Sequence, residues 1–163
     1  MKTKSLHYLM LIALLSIFTS CFMKKQTIKN ATEVVYHFED SSVPPKYHRS
    51  YTISINENSM NVVVDSYGDI LADTTISISK DQYNDILDYA IECNLSNKTR
   101  VNKEDDCTGG TSKSLSIYIK DESIINGTLY KCGGQRYGDL DGDIDKFSIY
   151  IVSKVPNFSK LVE

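Results

Sequence analysis

Residues 107–142 read CTGGTSKSLSIYIKDESIINGTLYKCGGQRYGDLDG, and the fold turns on this stretch. Leu115, Ile117 and Ile119 alternate with Ser114, Ser116 and Tyr118, the period of a strand buried on one face. The chain returns through residues 128–132, with the turn either near Asp121-Glu122 or at Asn126-Gly127, a dipeptide typical of hairpins. Two Gly-Gly pairs, Gly109-Gly110 and Gly133-Gly134, each stand just after a cysteine at the mouth of this hairpin. Glycine permits close backbone approach there, so a Cys107–Cys132 disulfide is the favoured pairing. It closes a loop of about 25 residues and stabilises by about 2–4 kcal/mol. Spacing alone does not fix connectivity, and Cys93 is the competing partner for either cysteine, although a buried free thiol is its favoured state.

Working outward, residues 33–38, 47–56, 60–67 and 70–77 carry strand patterns separated by short polar turns. The last three read as an antiparallel meander, because such connections cannot make parallel crossovers. Ser79 then opens a helix, with Gln82 in the capping-box position and Tyr83, Ile86, Leu87, Ala90 and Ile91 forming one apolar stripe. Residues 94–106 are polar and without period, which predicts a long excursion or functional loop. Residues 144–155 fit either a strand, from the alternation of Phe147, Ile149 and Ile151, or a helix. Asp143 as cap, Asp145 in the first turn and Pro156 beyond the end favour helix. The expected fold class is α+β: an antiparallel β-sheet of about five or six strands, one helix at about 80–93 packed on it, and a second helix at about 144–155.

The first residues set the compartment. Lys2 and Lys4 precede an apolar run from Leu6 to Phe18, and small residues follow before Cys21. A positive start, a short apolar core and small residues make a secretory signal whose core is too short for a membrane span. The segment Phe18-Thr19-Ser20-Cys21 resembles the lipobox of small bacterial lipoproteins, of the looser Bacteroidetes-like type in that Phe18 replaces the usual leucine. The resemblance implies lipidation of Cys21, palmitate included, and an exported domain anchored to a bacterial membrane, periplasmic or at the cell surface. The domain organisation expected is a signal peptide over 1–20, a lipidated N-terminus and flexible tether over 21–32, a single domain over 33–158 and a tail over 159–163.

Without residues 1–20 the chain holds 16 basic and 21 acidic residues, a sign that argues against nucleic acid as a partner. Asp139, Asp141, Asp143 and Asp145 alternate in a glycine-containing stretch and could gather oxygens around Ca²⁺. Exposed aspartates and a helix cap are the favoured alternative, since the spacing departs from a calcium-binding helix–loop–helix. No other cofactor is expected. The glycine pairs lack the endings of phosphate-binding loops. His37 and His48 lack partners at motif spacing, and no GxSxG or SxxK motif occurs. Function is therefore expected to be non-catalytic binding at the cell envelope, as an inhibitor or immunity-like protein recognising another protein. Its surface would be built from Gly109, Gly110, Gly133, Gly134, Tyr137 and the acidic loop. Envelope-glycan binding, a structural lipoprotein role and hydrolysis of glycan or peptide are the alternatives.

Overall fold

A computed structural model of the protein describes residues 27–101 and 107–163. The signal, the lipobox-like segment and Cys21 lie outside the described residues. The chain builds an α+β fold on an antiparallel sheet of eight strands, not five or six: β1 (Glu33–Glu39), β2 (Ser50–Ile55), β3 (Ser59–Ser66), β4 (Asp69–Ser77), β5 (Ser96–Val101), β6 (Thr111–Ile119), β7 (Glu122–Cys132) and β8 (Gln135–Asp141). The order across the sheet is β4-β3-β2-β1-β6-β7-β8-β5. Helix α1 (Lys80–Glu92) follows β4, carrying the chain from one edge of the sheet to the other. Helix α2 (Ile144–Ser153) follows β8, and the short helix α3 (Phe158–Leu161) ends the chain.

The alternation that patterns the strands also divides the sheet into a dry and a wet face. Val34, Tyr36, Ile53, Ile55, Met60, Val62, Leu115, Ile117 and Leu129 point to one side and are buried. There they meet Tyr83, Ile86, Leu87 and Ala90 of α1 and Ile144, Phe147 and Ile151 of α2. The opposite side carries hydroxyls and amides that pair across strands, as in Ser114–Thr128 at 2.8 Å and His37–Thr52 at 2.9 Å. One covered and one solvated face is what an antiparallel sheet permits. The two helices run antiparallel, held by stacking of Tyr89 on Tyr150 at 3.9 Å and by the Lys146–Glu92 ion pair at 2.6 Å.

Local signals explain the helix ends. Ser79 Oγ accepts the Gln82 N–H while the Gln82 side chain accepts the Ser79 N–H, a complete capping box. Asp143 caps α2 by accepting the Lys146 N–H at 2.9 Å, so residues 144–153 are helix rather than strand.

Three expectations are corrected. The non-periodic residues after Asn94 include strand β5, and the acidic glycine-containing stretch is not one loop: it runs from the end of strand β8 into the first turn of α2. Of the two β6–β7 turns left open by the sequence, the one near Asp121-Glu122 is adopted, at Lys120-Asp121, where Lys120 is left-handed at φ 56°; Gly127 lies inside β7 opposite Leu115. The domain also begins before Glu33. Ile28 and Ala31, placed by sequence in the flexible tether, are buried in the core, and Lys29 pairs with Asp88 at 2.8 Å.

The register gives the sheet two distinct ends. Residues 27–32 enter beside Tyr118 and the start of β7, at the same end as the β2–β3 and β6–β7 turns. The β1–β2, β3–β4, β5–β6 and β7–β8 connections all lie at the other end.

Candidate functional site

At this second end, Cys107 and Cys132 form the disulfide, with Cα atoms 6.0 Å apart. Cys93 is free and buried. The Gly133-Gly134 pair forms the two-residue turn between β7 and β8, with both residues at positive φ as such tight hairpins require. Gly110 has a different reason to be glycine: a side chain there would collide with the Lys131 carbonyl, Cys132 and the Tyr130 ring. Its N–H donates to the Tyr130 hydroxyl at 3.1 Å. The four glycines and the disulfide therefore come together as expected, around a shallow depression of 500 Å³ lined by residues 107–111 and 131–134.

Tyr137 does not belong to the exposed surface. It is 8 % exposed, lying opposite Tyr130 in the β7–β8 pair, and its hydroxyl donates to Gln135. The tyrosines presented at this end are Tyr47 and Tyr67, 64 % and 55 % exposed. Tyr67 occupies the β3–β4 turn at φ 53°, a left-handed conformation unusual for an aromatic residue. It is held there by a ring stack on buried His48 at 3.9 Å and by donation from its hydroxyl to the Val43 carbonyl at 2.6 Å. A Tyr-Gly turn between two strands was the sequence signal for this residue.

Beside the stapled corner lies a charge cluster that sequence reading missed. Lys113, Lys131 and Arg136 project onto the dry face from neighbouring strands, and Lys131 and Arg136 stand directly opposite each other. Like charges in that relation repel. Asp145, in the first turn of α2, resolves the conflict. Its Oδ1 accepts from Lys113 Nζ at 2.7 Å, and its Oδ2 accepts from Lys131 Nζ at 2.6 Å and from Arg136. Lys113 also donates to Ser148 Oγ at 2.9 Å. Burial works to raise the Asp145 pKa, but the hydrogen bonds and charges of Lys113 and Lys131 outweigh it and lower the value to about 2. The signal was present in the sequence: Lys113 shares the alternation of Leu115 and Ile117, and a cation on that face requires a counter-charge.

The four alternating aspartates have different partners. Asp139 accepts the Thr128 N–H at 2.8 Å and faces Arg100 at 3.6 Å, and Asp141 faces Lys98 at 3.8 Å. Asp143 caps α2, and Asp145 is engaged by three cations on the opposite face of the sheet. Asp139 and Asp141 share one face of β8, each beside a cation, whereas Asp143 and Asp145 belong to the cap and first turn of α2. Among the described residues no group of His, Cys, Asp or Glu side chains is arranged to hold a metal ion. Nor, among them, is any helix long and apolar enough to cross a membrane. No family model, no curated protein and no solved structure matches this chain.

Proposed function

We propose that this chain is a lipid-anchored, non-catalytic binding protein of the bacterial cell envelope, recognising another protein in the manner of an inhibitor or immunity protein. Residues 1–20 act as the export signal, and Cys21 carries the lipid. The observation that supports recognition most is the disulfide-clamped, glycine-built corner at Cys107–Cys132, at one end of a rigid sheet. Exposed Tyr47 and Tyr67 lie at the same end. Tyrosines supply large contact area at low entropic cost, which suits protein contacts.

The position of the N-terminus adds support. Residues 27–32 enter at the far end of the sheet, so strands of nine to eleven residues separate the anchored end from the stapled corner. At about 3.3 Å per residue, that is roughly 30 Å. A tether at one end leaves the other facing away from the membrane surface.

The test is a pull-down from detergent-solubilised envelope using the mature protein, in oxidised and reduced forms. A co-purifying enzyme that is lost on reduction is the expected result. A captured glycan with no protein would move the assignment to glycan binding. Peptide mapping that found Cys107 and Cys132 as free thiols in exported material would refute the proposed surface.

A further inference from the structure

The two edges of the sheet are guarded differently. Strand β5 is short, its pairing to β8 is interrupted between Asn97 and Val101, and it carries Lys98 and Arg100. Irregular pairing and basic side chains are common protections against unwanted strand pairing. Strand β4 has nine residues, DILADTTIS, with no lysine, arginine or proline. Its pairing to β3 is regular from Ala72 to Ser77, and no described strand pairs with its outer side. Next to this run, at the register shift beside Asp65, Ile70 is 67 % exposed and Leu71 is 48 % exposed.

The charge around this edge has one sign. Residues 56–92 contain eight carboxylates and a single base, Lys80. Lys80 pairs with Glu57 at 3.5 Å, and Asp88 and Glu92 pair with Lys29 and Lys146. Asp65, Asp69, Asp73, Asp81 and Asp85 take part in no ion pair among the described residues. Such an edge repels a second copy of itself and attracts a strand of opposite charge.

We propose that the outer edge of β4, from Ala72 to Ser77, receives an extended, lysine- or arginine-rich strand of a partner protein by β-strand addition. Ile70 and Leu71 would supply apolar contact at one end of that strand. Backbone hydrogen bonds give affinity in this mode and side-chain character gives selectivity. The site does not depend on the stapled corner, because the β4 edge and the disulfide lie in different halves of the sheet.

The test uses the oxidised mature protein and three synthetic nonapeptides. One alternates lysine with valine, one alternates glutamate with valine, and one is the lysine peptide with its central valine replaced by proline. Binding is read by NMR shifts and by amide hydrogen exchange over residues 69–77. The lysine peptide is expected to bind and to slow exchange along β4, while the glutamate peptide does neither. Proline removes a ladder hydrogen bond and should weaken binding about tenfold or more. Asp69→Asn combined with Asp73→Asn should weaken it about 2- to 30-fold, the span for two exposed ion pairs, at an unchanged melting temperature.

Four results would overturn the proposal. The lysine peptide could leave β4 amides unprotected, or the proline peptide could bind equally well, which would reduce the effect to charge adhesion. The glutamate peptide could bind as well as the lysine peptide. Lastly, sedimentation could show a dimer that the lysine peptide dissociates, which would assign the edge to a second copy. Each of these readouts is taken on oxidised protein, so none depends on the outcome of the reduction experiment.

Discussion

Replacing Asp145 with asparagine keeps the size of the side chain and removes the only acid that, among the described residues, pairs with Lys113, Lys131 and Arg136. The wild-type carboxyl falls from an ordinary 3.8 to about 2. Nearly two units at 1.36 kcal/mol each correspond to roughly 2.5 kcal/mol before screening. Because the side chain is 30 % exposed, solvent reduces this to about 1–2 kcal/mol. The variant also leaves Lys131 opposite Arg136 without relief, so the total loss should be about 2–3 kcal/mol. For a domain of this size that is a fall in melting temperature of roughly 6–12 °C at neutral pH. The assay is thermal unfolding of both proteins from pH 7 down to pH 2, repeated in about 1 M salt. A carboxyl whose folded pKa is depressed contributes fully above its unfolded value, near 4, and loses that contribution as pH falls toward 2. The two profiles should therefore converge between about pH 4 and pH 2, and salt should narrow the gap at neutral pH. Melting temperatures within 1 °C at pH 7, or a gap of constant size down to pH 2, would show that Asp145 is not the keystone of this cluster.

Other perturbations address the stapled corner and the core. Cys107→Ser with Cys132→Ser should lower the unfolding free energy by about 2–4 kcal/mol in urea titrations, with the far-UV spectrum unchanged. Gly110→Ala should be costlier than most surface alanine substitutions, at about 1–3 kcal/mol, because the added carbon meets the Lys131 carbonyl as well as the disulfide-bonded Cys132 and the Tyr130 ring. Cys93 is buried, and burial pushes its thiol pKa up, so a thiol reagent should modify it only at the rate of unfolding.

What could be read from sequence divides along physical lines. Strands β1 to β3 and the second half of β6 carry apolar residues at most of their inward positions because the dry face beneath the helices is continuous there. Helix α1 was visible through its stripe and Ser79–Gln82 cap, and α2 through its Asp143 cap. Strand β8 was hidden because its inward positions are Arg136, Gly138 and Leu140. Arg136 answers Asp145, and Gly138 has no room for a side chain beside the Thr128 carbonyl, so the period vanishes. Strand β5 was hidden because an exposed edge imposes almost no burial on Asn97, Lys98, Thr99 or Arg100. In the candidate site, the disulfide and glycines were legible because covalent geometry and turn conformation constrain residue type. For Tyr67 the Tyr-Gly pair signalled only a turn, since the placement of its ring depends on the stack with His48, nineteen positions earlier in the chain.

The strand order explains why a staple is needed at this position. Strand β5 ends at Val101 on the outer edge, but β6 begins at Thr111 in the middle of the sheet, three strand positions away. At about 4.8 Å per position the two strands are roughly 14 Å apart, with β8 and β7 between them. Cys132 terminates β7, so its bond to Cys107 fastens the chain to the end of that strand just before β6 begins. The sheet itself does not depend on this bond, because β6, β7 and β8 are joined by their own ladders. Reduction should therefore free the corner while leaving the core folded. Loss of partner binding at temperatures well below the reduced protein's melting transition would identify the corner as the recognition surface. Loss only in step with global unfolding would reduce the disulfide to a stabilising role.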